Sequence, residues 1–173
     1  MDKTDSIDAI LGTSITLIRT FEKQIKDLDK TNEKIMKGVP QTLQTIPGVG
    51  PVFTAGIIAE IGQTERFEKE AKIAKYAELY WRKHQSRRFT ADETSLSRSG
   101  NQYLRYYLTH VANSVRRQIP EYSDYYAKKY QEVPKHQHKR ALVLTARKFV
   151  RLVDALLRKN QIYTPKRSVI HEA

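Results

Sequence analysis

Leu43-Gln44-Thr45-Ile46-Pro47-Gly48-Val49-Gly50-Pro51 runs straight into Val52-Phe53-Thr54-Ala55-Gly56-Ile57-Ile58-Ala59-Glu60-Ile61-Gly62. This stretch decides the fold class: it reads as two helices joined by a tight Gly-x-Gly hairpin. Gly48 and Gly50 accept φ > 0 at little cost, and Pro47 stiffens the entry. Pro51 suits the first turn of the second helix, where its missing N–H costs nothing. Gly62 suits the C-cap. Such a hairpin turns N–H groups and a helix N-terminus toward one phosphate oxygen, whatever the base sequence. Pro47, Gly48, Val49 and Gly50 are therefore candidate DNA contacts. The competing reading is a turn that only packs Ile46 against Ile57 and Ile58.

Toward the N-terminus, Leu11, Ser14, Ile18, Phe21, Ile25, Leu28, Asn32 and Ile35 alternate three and four apart. That is a heptad seam, with Ser14 and Asn32 as its polar positions. Gly38-Val39-Pro40 stops the helix. Residues 1–40 read as a coiled-coil-like helix that supports a homo-oligomer, or as a helix packed along its own domain.

Toward the C-terminus, a short helix at Gln41–Thr45 precedes the hairpin. Another runs over roughly Glu68–Leu79, with Ala71, Ile73, Ala74 and Ala77 on its small-residue face. Residues 80–100 form a long loop with room for a short extended piece. A helix follows from Gln102 to Gln118, with Leu104, Leu108, Val111, Ala112 and Val115 facing inward. Pro120 starts a helix through Tyr130. The last runs from His136 to Lys159, with Leu142, Leu144, Ala146, Phe149, Val150, Val153 and Leu157 as its apolar positions. The class is all-α, a helix-hairpin-helix-containing helical domain over 41–160 with a tail over 161–173.

Charge sharpens the reading. The 173 residues carry a formal net charge of +12. Residues 1–40 hold seven basic and seven acidic side chains, while residues 135–167 hold ten basic and one acidic. Nucleic acid is the expected partner, because each Lys or Arg contact to a phosphate releases condensed counterions. A solvated lysine-rich face is the bland alternative. No run reaches the roughly 18 apolar residues of a membrane span, and Met-Asp-Lys-Thr-Asp is no signal peptide. The absence of cysteine excludes disulfides and thiolate zinc sites and fits a cytoplasmic protein.

Ser86 lies within Arg82, Lys83, His84, Arg87 and Arg88. A serine hydroxyl needs activation to act as a nucleophile, and guanidinium groups can hold a scissile phosphate and stabilise its developing charge. Composition alone makes such a serine a hydrogen-bonding bystander. Gly100-Asn101 marks a loop-to-helix transition with Asn101 as N-cap. Arg105 follows one turn in, as a phosphate ligand or a surface ion pair. The ten tyrosines lack the arginine and histidine scatter of a tyrosine recombinase. His136 and His138 have no third metal ligand nearby.

The order of these features resembles the C-terminal transposase domain of the RNA-guided insertion-sequence transposases, or bridge recombinases (transposase family 20). The resemblance rests on Leu43-x-x-Ile46-Pro47-Gly48-Val49-Gly50-Pro51, on Ala55, Ala59-Glu60-Ile61-Gly62 and Arg66-Phe67, on Arg98-Ser99-Gly100-Asn101-Gln102-Tyr103-Leu104-Arg105, and on Ala146-Arg147-Lys148-Phe149. It spans residues 43 to about 157. It implies Ser86 as the nucleophile that joins covalently to DNA, helped by Arg87, Arg88 and Arg105. It also implies DNA contacts at Lys83, Arg98, Gly100, Asn101, Arg147, Lys148 and Arg151. DNA and a guide RNA are the partners implied. Mg²⁺ is expected only with the family's acidic nuclease-like domain, and no metal in this chain. Two departures stand out: Arg87 replaces the glycine after the serine, and Glu78-Leu79-Tyr80-Trp81 stands where the family has Gly-Leu-x-Pro. A shifted alignment promotes Ser95, Ser97 or Ser99 instead. A non-catalytic DNA-binding or regulatory fragment is the alternative function.

Overall fold

The computed structural model describes residues 3–80, 85–86, 89–90 and 99–165. The chain divides into two units, residues 1–39 and 40–173. The first is one uninterrupted helix, α1 (Lys3–Met36). Its heptad residues Leu11, Ile18, Phe21, Ile25, Leu28 and Ile35 are exposed, as are Ile7, Ile10, Ile15 and Leu17.

Among the described residues of the second unit, the regular structure is helical apart from two very short strands. A single 3₁₀ turn, Leu43–Thr45, leads through Gly48 and Gly50 into α2 (Pro51–Ile61). The first arm of the expected helix-hairpin-helix is thus a single 3₁₀ turn, where the sequence suggested a short helix from Gln41. Gly48 has φ +88 and Gly62 φ +62. Gly50 does not use the positive φ open to it. It is the extended N-cap of α2 at φ −83, and its carbonyl accepts from Thr54 N–H at 3.0 Å. Gly48 is needed for both reasons that favour glycine: its φ, and a Cβ that would lie 3.0 Å from Ser114 Oγ and 3.1 Å from the Ser114 carbonyl carbon.

A 3₁₀ turn at Thr64–Arg66 precedes α3, which covers only Glu70–Tyr76. The helix is shorter than its apolar pattern predicted. Glu78 follows at φ +51 and breaks the helical path. Ile73, Ala74 and Ala77 are buried, whereas Ala71 is exposed. β1 (Gln85–Ser86) and β2 (Phe89–Thr90) pair antiparallel, with Gln85 opposite Thr90 and Ser86 opposite Phe89. This is the extended piece expected in the 80–100 loop.

α4 (Gln102–Gln118) begins and ends at the expected residues, and its five inward positions are all fully buried. α5 (Pro120–Gln131) starts with proline in its first turn. α6 (Gln137–Lys159) packs against α4, α5 and α3, and α2 packs against α4. Its inward stripe is Ala141, Val143, Ala146, Phe149, Val150, Val153 and Leu156. Leu142, Leu144 and Leu157, expected inside, lie at the margin. Leu43, Ile46, Ile57, Ile61, Leu104 and Leu108 form one continuous core with Val143, Ala146, Phe149, Val150, Val153 and Leu156. Tyr163, beyond α6, packs on that core, and its N–H donates to Thr45 Oγ1 at 2.8 Å.

Candidate nucleic-acid interface and the anchor of the Ser86 segment

The residues on either side of the Ser86 segment are fastened to each other. Asn101 N–H donates to the Tyr76 carbonyl at 2.8 Å. Ser99 Oγ donates to Glu78 Oε1 at 2.6 Å. Gly100 lies between, where a Cβ would fall 2.5 Å from both Tyr76 O and Glu78 Cγ. No other residue type fits that approach without moving backbone.

Asn101 is the hub. Its Oδ1 accepts from Leu104 N–H at 2.8 Å, an N-cap contact for α4, of a kind that contributes about 1 kcal/mol. Its Nδ2 donates to Glu60 Oε2 at 2.7 Å and to Tyr76 Oη at 3.0 Å. One side chain thereby ties α2, α3 and α4 together. Arg105, one turn into α4, points back at the same anchor. Its Nη1 lies 3.7 Å from Glu78 Oε2 and donates to the Ala77 carbonyl at 3.4 Å.

Arg66, Lys72, Lys75, Tyr76, Glu78 and Ser99 line an open cleft of about 880 Å³ beside this anchor. The Arg66 guanidinium sits 4.8 Å from the Phe67 ring centroid and 5.2 Å from that of Tyr76. The rings hold the cation at the rim of the cleft.

Of the residues the sequence singled out, the structure groups Gly100, Asn101 and Arg105 around Glu78 and Tyr76. Ser86 lies in β1. Lys83, Arg87, Arg88 and Arg98 fall outside the described residues, as do Ser95 and Ser97. Ser99 is engaged with Glu78. At the hairpin, Pro47 is exposed and a Cβ on Gly50 would meet open space. Val49 is buried, and its N–H donates to the Ile46 carbonyl at 3.1 Å.

On α6, Arg147 and Arg151 stand one turn apart and exposed. Lys148 instead reaches Glu121 Oε1 at 3.0 Å and lies over the rings of Tyr122 and Tyr125. Arg158 is a structural tie: its Nε donates to Asp154 Oδ1 at 2.8 Å and its Nη2 to the carbonyls of Thr64 and Phe67. Burial pushes the Tyr122 phenol well above its ordinary value, the opposite of what a nucleophile needs. Tyr126 Oη pairs with His138 Nδ1 at 2.7 Å. Among the described residues no three His, Asp or Glu side chains converge as metal ligands, and no helix is long and apolar enough to cross a membrane.

Sequence reasoning did not assign partners to Glu60, Tyr76 or Glu78. No local signal marked Glu78, whose backbone is left-handed at φ +51.

Fold and site define a basic all-α unit in which Asn101 ties α2, α3 and α4 together. The chain belongs to the transposase IS116/IS110/IS902 family, which residues 40–127 match. It is 26% identical over 147 residues to the transposase for insertion sequence element IS1111A of Coxiella burnetii (strain RSA 493 / Nine Mile phase I), covering 84% of this chain and 39% of that protein. It is also 26% identical over 156 residues to the uncharacterized 44.8 kDa protein of insertion element IS116 from Streptomyces clavuligerus, covering 90% of this chain and 37% of that one. The chain thus spans well under half the length of these relatives. Membership of the family makes its role DNA-related.

Proposed function

We propose that this chain is the C-terminal DNA-binding part of a transposase and that Ser86 is its nucleophile. The observation that carries the reading is the family match over residues 40–127, joined to a charge of +12. Arg147 and Arg151, exposed on α6, and the open backbone at Gly50 supply phosphate contacts that read no base sequence. In the chemical step, Ser86 Oγ bonds to the phosphorus of a DNA phosphodiester. The bond from phosphorus to one deoxyribose oxygen breaks, and that oxygen leaves as a hydroxyl carrying the proton lost by the serine. Arg87 and Arg88 neutralise charge on the phosphoryl oxygens.

The partners in this reading are DNA and a guide RNA, with self-association through the exposed apolar face of α1. The described residues offer no cluster of carboxylates that could hold Mg²⁺. The metal belongs to the acidic nuclease-like domain of the family. A second reading, a binding or regulatory fragment without its own chemistry, is favoured by one observation: Arg105 is held at Glu78 and Ala77, with 16% of its side chain exposed.

A covalent-adduct assay separates the two. The chain is incubated with a nicked suicide duplex and guide RNA, with and without a supplied acidic domain, then denatured and run beside Ser86→Ala. A shifted band that vanishes in the variant supports serine chemistry. Intact DNA binding with no band in any lane leaves the fragment reading.

A further inference from the structure

Helix α4 carries an aromatic face that the phosphate-binding reading does not use. Tyr103, Tyr106, His110, Asn113 and Arg117 are spaced three and four apart, so they share one side of the helix. Tyr103 is 59% exposed and Tyr106 52%. Phe53 of α2 lies against this face, beside Tyr107 and His110.

The rings are held in fixed orientations by one another. The Tyr106 centroid lies 4.2 Å from that of His110 and 5.5 Å from that of Tyr107, edge-on to the latter. Phe53 lies 6.3 Å from His110 with the two planes only 15° apart. Tyr107 is wedged against Gly56, where a Cβ would fall 2.5 Å from its ring. A ring supported on its neighbours loses little freedom when something lies on its open side.

Charge selects the occupant. From Arg98 to Pro120 there is no acidic residue, and the last turn of α4 carries Arg116 and Arg117. Arg117 is exposed on the aromatic face, about 16 Å along the helix from Tyr106 at the usual rise. Open aromatic rings for bases, followed by a cation for the phosphate chain, is how unpaired strands are gripped. A duplex hides its base faces and gains nothing from a tyrosine ring.

We propose that the α4 face centred on Tyr106, with Tyr103 and His110, is a stacking platform for unpaired bases of single-stranded DNA. The inference rests on the DNA-binding reading above and adds to it a site for strand-separated DNA.

The test uses the full chain and fluorescence anisotropy. The probes are a labelled oligo-dT, the same length of duplex, and the matching oligo-U. Tyr106→Ala should weaken oligo-dT binding about tenfold and leave duplex binding within about twofold. Tyr106→Phe should behave as the native chain, because stacking needs the ring and not the hydroxyl. A 2-aminopurine placed within the dT strand should be quenched on binding, and that quench should be lost in Tyr106→Ala. Matching circular dichroism melts show that the variants are folded. An equal loss on single strand and duplex, no loss on either, or a Tyr106-dependent loss confined to oligo-U overturns the proposal while the DNA-binding reading stands. A native chain that binds neither form of DNA at low salt overturns both.

Discussion

Ser99 Oγ donates to Glu78 Oε1 at 2.6 Å, closing a bridge between the two ends of the segment that carries Ser86. Glu78 is 4% exposed and left-handed at φ +51, a conformation that costs an ordinary side chain roughly 1 kcal/mol. The same carboxylate also faces Arg105. Buried, strained and paired at once, Glu78 couples the backbone geometry of the anchor to its electrostatics.

That coupling separates two substitutions. Glu78→Ala and Glu78→Gly both remove the contacts to Ser99 and Arg105, but only glycine also relieves the left-handed backbone. Glu78→Gly should therefore be more stable than Glu78→Ala by about 1 kcal/mol. Urea denaturation of the two variants checks the ordering, and equal midpoints would sink the backbone argument.

At Gly100 the constraint is space. A methyl group would meet the Tyr76 carbonyl and the Glu78 side chain at 2.5 Å, and one of those atoms is backbone. Gly100→Ala should cost about 1–3 kcal/mol, as overpacking does, read as a lowered thermal midpoint. An unchanged midpoint means the junction moves freely.

Asn101 allows a test of cap against network. Aspartate is as good an N-cap as asparagine, yet Asn101→Asp replaces the donor facing Glu60 Oε2 at 2.7 Å with a second carboxylate. The variant should be less stable at pH 7 than the native chain despite its intact cap, and the deficit should shrink as acid protonates the pair. A variant as stable as the native chain at pH 7 would show that capping alone matters here.

The exposed arginines of α6 predict a salt signature. Arg147→Ala and Arg151→Ala should each lower the magnitude of the log–log salt slope of duplex binding by about 1, with little effect on stability. A slope unchanged in both variants places the duplex elsewhere on the domain.

Acid should loosen the α5–α6 junction. Hydrogen bonds from Lys129 and Arg140, with the nearby charges adding, hold the Glu132 carboxyl below its usual range. A carboxylate with a folded value below its unfolded one contributes stability above the unfolded value near pH 4. It loses that contribution as pH falls through the folded value. Glu132→Gln should flatten that part of the stability–pH curve. The effect is modest, because the group is at the surface.

Much of the fold was legible along the chain because its signals are local. Pro51 and Gly62 bracket α2, and Asn101 opens α4. The five apolar positions of α4 repeat at helical spacing and are all buried. α3 was misjudged because its apolar spacing continues past Tyr76, while the chain turns at Glu78 to meet Gly100, a contact 22 residues away that no periodicity encodes. Gly50 was free to take a positive φ, and its place as the N-cap of α2 set it in the extended region instead.

By itself the sequence determined the helical class, the caps, the charge and the family, all properties of neighbouring residues or of their sum. Tertiary structure alone decided that Asn101 would reach Glu60, that Arg105 would turn to Glu78, and that Phe53 would lie beside His110. Those pairings depend on how α2 and the end of α3 settle against α4. Close packing fixes that alignment only when every helix of the core is in place.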